Sequence, residues 1–149
     1  ARKKDIITVS ENIDVSKVKK YKEIQRDLFL TPIKVGSIVV LNNLWFKTGK
    51  DEINRLSFPE LGRLIELLEK NPSMKIEIRG HTDNTGSDDI NIRLSKERAD
   101  AVRSYLIQKG VKQERMKAKG YSYTIPIASN RTVEGRRKNR RVDFKILSL

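Results

Sequence analysis

Gly80-His81-Thr82-Asp83-Asn84-Thr85-Gly86, followed by Leu94-Ser95-Lys96-Glu97-Arg98-Ala99, is the stretch that decides how this chain reads. It places a single carboxylate, Asp83, in a loop bounded by glycines at the mouth of a helix. It then places an arginine where that helix expects an apolar residue. Ile90, Leu94, Val102 and Leu106 recur at steps of four and eight, and Arg98 fills the missing step. Residues four apart share a helix face, so the spacing predicts Arg98 on the buried side or at its edge. A buried guanidinium without an acceptor is strongly unfavourable, and Asp83 is the obvious neighbour. Two readings stay open at this point. The two residues form a structural ion pair, or they hold a zwitterionic ligand between them. In the second, the carboxylate takes an ammonium and the guanidinium takes a carboxylate in a bidentate fork. An amino-acid head group fits that arrangement.

Working outward from the loop, Met74–Arg79 alternates and predicts a half-buried strand. Before it, Leu61, Leu64, Ile65, Leu67 and Leu68 follow a helical period. Pro59 suits the first turn of that helix, Ser57 suits its cap, and Asn71-Pro72 stops it. Ser37–Phe46 is rich in β-branched and aromatic residues and predicts a strand, with a turn at Thr48-Gly49-Lys50. After the loop, a second helix runs from about Asp88 to Lys109, with Ser87 or Asp88 near its cap and Gly110 as its stop. Met116–Gly120 predicts a short strand. Tyr121–Gly135 predicts a long loop with a helical turn around Thr132–Arg136, and Arg140–Ile146 alternates into a last strand. The order is β-α-β-α-β-β, which implies an α+β fold: a mixed sheet with helices packed on one face. Ile6–Ser10 reads as a short strand, and Lys17–Lys34 as a basic linker. Residues 1–36 are therefore expected to be an extension from a preceding module, and residues 37–149 the domain.

The chain has 149 residues, 37% hydrophobic and 34% charged, the composition of a soluble globular domain. No run approaches a membrane span. Ala1-Arg2-Lys3-Lys4 has no apolar stretch behind it, so the chain reads as cytosolic or as the mature or excised part of an exported protein. The absence of cysteine excludes disulfides and thiolate metal sites. A net charge of +13 points to an anionic environment or partner, and the charge peaks at Arg136-Arg137-Lys138-Asn139-Arg140-Arg141.

LWFKTGKDEI, IEIRGHTDNTG, NIRLSKERADAVRSYL and EGRRKNRRVDF closely resemble the OmpA-like C-terminal domain. The resemblance covers roughly Ser37–Leu147, and the combined spacing of the HTD loop, the LS-x-x-RA helix and the NRRV strand makes it specific. It implies a non-catalytic module that binds peptidoglycan through the diaminopimelate residue of the stem peptide. It implies no cofactor and no nucleic acid. It further implies a periplasmic location, with attachment to the outer membrane only through the parent protein. By the same resemblance, Asp83 and Arg98 grip the amino-acid end of diaminopimelate. Thr82, Asn84 and Thr85 offer hydroxyl, amide and backbone N–H groups, although these residue types also form turns without a ligand. Leu94 lines the ligand's aliphatic chain, Arg140 reaches the site or braces the loop, and Asn139 organises the loop. One departure stands out: many members carry an aspartate after the strand phenylalanine, whereas Lys47 follows Phe46 here. Thr48 and Gly49 still supply rim contacts. The N-terminal segment is also similar to larger Bacteroidetes envelope lipoproteins, some of them part of the type IX secretion machinery, which implies other envelope or secretion proteins as partners.

Other function classes fare less well. His81 and Asp83 form a tempting H-T-D order, but no nucleophile accompanies them, and His81 is expected to shape the loop through a ring hydrogen bond. One histidine and no cysteine give no recognisable metal-ligand set. Nucleic-acid binding is the alternative from another class, carried by Arg136–Arg141 and the net charge. Against it, aromatics are only 6%, and no helix-turn-helix, RNP or zinc-finger signature is present.

Overall fold

Alternation along 75–80 and 142–148 divides each strand between two environments, and that division builds the fold. The computed structural model describes residues 6–7, 31–47 and 50–149. The elements run in chain order β1 (Ile6–Ile7), β2 (Thr31–Pro32), β3 (Ile38–Val40), α1 (Phe58–Lys70), β4 (Lys75–Gly80), α2 (Asp88–Gln108), β5 (Met116–Gly120), α3 (Val133–Asn139) and β6 (Val142–Ser148). Short 3-10 turns lie at Arg55–Ser57 and Gln113–Arg115. The main sheet has the order β3-β6-β4-β5. β6 is antiparallel to β3 and β4, and β4 is parallel to β5. This is the mixed α+β sheet expected from the sequence.

The core lies between the two long helices and the even-numbered positions of the central strands. Leu61, Leu64 and Leu68 of α1 and Ala99, Val102 and Leu106 of α2 meet Ile76, Ile78, Val142, Phe144 and Ile146, all buried. Each large apolar side chain contributes about 1.5–3 kcal/mol by leaving water. The odd positions, including Glu77, Arg79, Asp143 and Lys145, take the opposite side.

Several sequence expectations shift. The strand expected over 37–46 shrinks to Ile38–Val40. Asn42 and Asn43 turn the chain, as Asn favours, and Phe46 returns only as a single bridge to Ile53. Ser57 precedes α1, but its side chain makes no cap bond. Its hydroxyl instead meets the backbone of Trp45. The helical turn near 132–136 is a full helix, α3, with Thr132 Oγ1 accepting from the Gly135 N–H at 3.0 Å. The last strand consequently begins at Val142. Ahead of residue 37, Ser37 Oγ donates to the Pro32 carbonyl at 3.1 Å and Gly36 N–H to Ile146 at 2.8 Å. Ile33 also packs on the core, so residues 32–36 are joined to the domain. Ile6–Ile7 pairs antiparallel with Thr31–Pro32; the rest of the expected first strand and most of the Lys17–Lys34 linker lie outside the described residues.

Candidate functional site

The site lies where β4 ends and α2 passes over it, and small residues make that crossing possible. A Cβ added at Gly80 would stand 1.9 Å from the Ser95 carbonyl oxygen, and one at Gly120 would stand 2.5 Å from the Lys96 nitrogen. Only bare backbone at the ends of β4 and β5 lets α2 come this close. Ser95 completes the node: its hydroxyl accepts from the Ser122 N–H at 3.0 Å and donates to the Ile92 carbonyl at 3.0 Å. The buried face of α2 is therefore Asn91-Ser95-Ala99-Val102-Leu106. The stripe expected through Ile90 and Leu94 is turned by one residue. Ile90 is 51% exposed and Leu94 half-buried, because small side chains, not large ones, fit the close approach. Arg98, one turn after Ser95, sits at the edge of this face, as one of the two expected placements.

The loop after β4 is held from both sides. His81 N–H donates to Arg141 and Thr82 N–H to Ser122, each at 2.9 Å. Asp83 is thereby fixed, 3% exposed. One carboxylate oxygen accepts from both the backbone N–H of Thr85, at 2.8 Å, and the Thr85 hydroxyl. The other takes Arg140 Nη1 at 2.5 Å. Burial by itself would push the Asp83 carboxyl up, but the bonds from Thr85 and Arg140 outweigh it and hold the group below the usual carboxylate range. Asn91 adds a brace that sequence reading missed, donating from Nδ2 to the Thr85 carbonyl at 2.9 Å.

The direct Asp83–Arg98 ion pair is not formed; Arg140 takes that place. Arg98 lies over the Phe46 ring, 5.1 Å from its centroid, and its Nε makes a long 3.4 Å contact to the Lys50 carbonyl. Burial and the charge of Arg140 press its pKa below the ordinary guanidinium value, while Asp51 and Asp83 act in the opposite sense. Among the described residues no carboxylate comes within ion-pairing distance of Arg98. The cluster thus sets Arg140 directly on Asp83, with Arg98 nearby and influenced by Asp51 and Asp83 at longer range.

The remaining expected residues fall into place unequally. Thr82 is buried with the loop, whereas Asn84 and Thr85 are exposed. Thr85 performs the turn-forming role through Asp83. Thr48 and Gly49 lie outside the described residues. Lys47, the departure, forms an exposed ion pair with Glu52 at 2.5 Å. Among the described residues no cluster of His, Asp or Glu is arranged to hold a metal ion.

The basic run is divided residue by residue. Arg136 donates to the Asn130 carbonyl, Arg137 covers Trp45, Lys138 faces Glu134, and Arg140 holds Asp83. Arg141 bonds Asp143 and the Ile125 carbonyl. Asn139, fully buried, organises the loop just before α3 rather than the Asp83 loop it was expected to serve. Its Oδ1 accepts from Ile127 and Ala128, and its Nδ2 donates to Ala128 and Asn130. His81 parts company with Asp83: its Nε2 lies 3.0 Å from Asp143, a hydrogen bond when that nitrogen carries its proton.

A mixed four-stranded sheet with helices on one face, and an aspartate loop meeting an arginine helix at the end of β4, defines an OmpA-like domain. Residues 45–140 match the OmpA family, and the chain belongs to it. It is 45% identical over 86 residues to the peptidoglycan-binding protein ArfA of Mycobacterium tuberculosis, which covers 58% of this chain and 26% of that protein. It is 33% identical over 133 residues to the probable lipoprotein YiaD of Escherichia coli, covering 87% of this chain and 61% of that protein. The chain thus spans less than two thirds of either relative. The periplasmic domain of Helicobacter pylori MotB is similar in structure, with a TM-score of 0.68 at 32% identity over 78% of this chain and 85% of that one.

Proposed function

We propose that this domain binds peptidoglycan through the diaminopimelate residue of the stem peptide and so tethers a larger envelope protein to the cell wall. The observation that carries this reading is the open edge of the site: Asp83 is held by Arg140, whose side chain is 45% exposed, and among the described residues Arg98 has no carboxylate within ion-pairing distance. The amino-acid end of diaminopimelate supplies the missing anion together with an ammonium. Arg98 takes the ligand carboxylate in its fork, and Asp83 takes the ammonium while Thr85 keeps it oriented. Arg140 turns from Asp83 toward the incoming carboxylate, which its exposed position permits. Leu94 lies along the aliphatic chain, with Thr82, Asn84, Thr48 and Gly49 at the rim. The domain is a non-catalytic binding module, with no bound cofactor in this role.

Similarity to the peptidoglycan-binding protein ArfA supports peptidoglycan as the polymer, the periplasmic MotB domain supports the compartment, and the probable lipoprotein YiaD supports a lipoprotein parent. We place the domain in the periplasm, attached to the outer membrane through its parent. Membership of a type IX secretion-associated lipoprotein belongs to the same proposal. No helix among the described residues is long and apolar enough to cross a membrane. The dispersal of the basic run into separate contacts disfavours the nucleic-acid alternative, which needs cations aligned on a phosphate track.

The test is co-sedimentation with purified sacculi at moderate salt, comparing wild type with Asp83→Ala and Arg98→Ala after circular dichroism has shown all three folded. Wild type is expected in the pellet and both variants in the supernatant. A soluble stem peptide containing diaminopimelate is expected to release the wild type. Equal pelleting of all three, reversed by salt alone, would show that charge rather than the pocket holds the polymer.

A further inference from the structure

Trp45 stands partly out of the surface beside this pocket, and the pocket chemistry does not use it. It is the only tryptophan of the chain and is 39% exposed. Its backbone is clamped: the N–H donates to Ser57 Oγ at 2.7 Å, and the carbonyl accepts from the Ser57 hydroxyl at 3.1 Å and from the Asn54 N–H at 2.8 Å. Ser57 is fully buried, so the indole is presented on a rigid base. The Arg137 guanidinium lies 5.8 Å from the ring centroid. Leu56, 75% exposed, adjoins Ser57; Val133, 74% exposed, lies one helical turn before Arg137.

This patch shares two chain segments with the pocket. Phe46, next to Trp45, carries Arg98 on its ring. Arg140, three residues after Arg137 at the end of α3, holds Asp83. The same two segments therefore support both the charged site and the indole.

A clamped, partly exposed indole with a multidentate donor lying over its ring suits a ligand with one C–H face and a polar rim. A pyranose ring has that form, and the glycan strand is covalently joined to the stem peptide. We infer that Trp45, with Arg137, forms a saccharide subsite for the amino-sugar backbone of peptidoglycan. The inference rests on the peptide-binding reading above. Self-association through the patch is opposed by the net charge of +13 on every copy.

Because Trp45 is the sole indole, its emission reports the patch directly. The titrants are a sugar-free stem peptide containing diaminopimelate and the disaccharide muropeptide bearing the same peptide. The muropeptide is expected to bind about fivefold more tightly, the scale of one aromatic contact, and to shift the emission to the blue. Trp45→Ala, followed by calorimetry, is expected to erase that advantage while leaving the affinity for the sugar-free peptide unchanged. Arg137→Ala makes the same comparison should Trp45→Ala lose its fold. Equal affinities for the two ligands with unmoved emission would sink the saccharide subsite and leave peptide binding standing. If neither ligand binds, both readings fall. An emission shift that follows protein concentration alone would assign the patch to self-association and overturn the inference.

Discussion

Two carboxylates with nearly the same neighbours, Asp143 and Asp83, have opposite fates. Asp143 faces Arg79 on the adjoining strand, with Arg79 Nε at 2.5 Å, Arg141 Nε at 3.2 Å and His81 Nε2 at 3.0 Å. All four residues are buried. Burial would push the Asp143 carboxyl up, but the hydrogen bonds and charges of His81 and Arg79 keep it below the usual range. Asp83 is as well buried, yet the side chain of its partner Arg140 is 45% exposed, and Arg98 has no carboxylate of its own among the described residues. The first acid is enclosed with its cations and serves the fold. The second shares an open edge with cations that have somewhere else to turn. The difference lies in how much of each cation stays in water, not in the acids themselves.

The contrast breaks most visibly if Asp143 is removed. Asp143→Ala strands two buried guanidiniums and is expected to cost about 3–5 kcal/mol, measured by urea unfolding. Asp83→Ala releases Arg140 to water and is expected to cost about 1–2 kcal/mol; equal losses in the two variants would erase the distinction.

Gly80→Ala tests the crossing that brings Arg98 to the loop. The added Cβ meets backbone rather than a pliable side chain, so a loss of about 1–3 kcal/mol is expected, accompanied by weaker retention on sacculi because α2 must move. Unchanged retention in a folded variant would show that the site does not depend on the close approach.

Acid titration sharpens the comparison further. Both carboxylates have folded pKa values below their unfolded ones. Their stabilisation is therefore present above the unfolded value of about 3.9 and is lost as the pH falls through the folded values. Unfolding free energy is expected to drop below about pH 4, less steeply in Asp143→Ala. An unchanged acid limb in that variant would assign the drop to other groups. The smallest effect belongs to Lys96→Ala, which removes the exposed Lys96–Asp100 pair. It is expected to change stability by less than about 0.5 kcal/mol and to leave sacculus binding unaltered.

Much of the molecule was legible in the residues. Local signals sufficed for α1, α2, β4, β5 and the caps at Ser87 and Gly110, because periodicity and capping act within a few residues. Asp83 and Arg98 were legible as an acid in a glycine-bounded loop and an arginine at the edge of the helix that follows, although the stripe through Ile90 and Leu94 and the loop served by Asn139 were read wrongly. Arg140 was legible as a neighbour but not as the ion-pair partner, since it lies 57 residues from Asp83. The node of Gly80, Ser95 and Gly120 was also missed. Its only trace is glycine at the ends of two strands and a serine beside the expected apolar stripe of the helix. Arg115 likewise gave no signal, although its guanidinium holds the carbonyls of Leu68, Asn71 and Met74 at the end of α1.

The α+β class, the two long helices with their flanking strands, and an acid and an arginine at one end of the sheet are thus written in the residues. These follow from short-range spacing and turn chemistry. Which arginine Asp83 holds, which face α2 buries and which of two similar acids keeps an exposed partner emerge only when the elements pack together. Those outcomes depend on how closely distant backbones approach and on which charges remain in water, and neither is written in the spacing of neighbours along the chain.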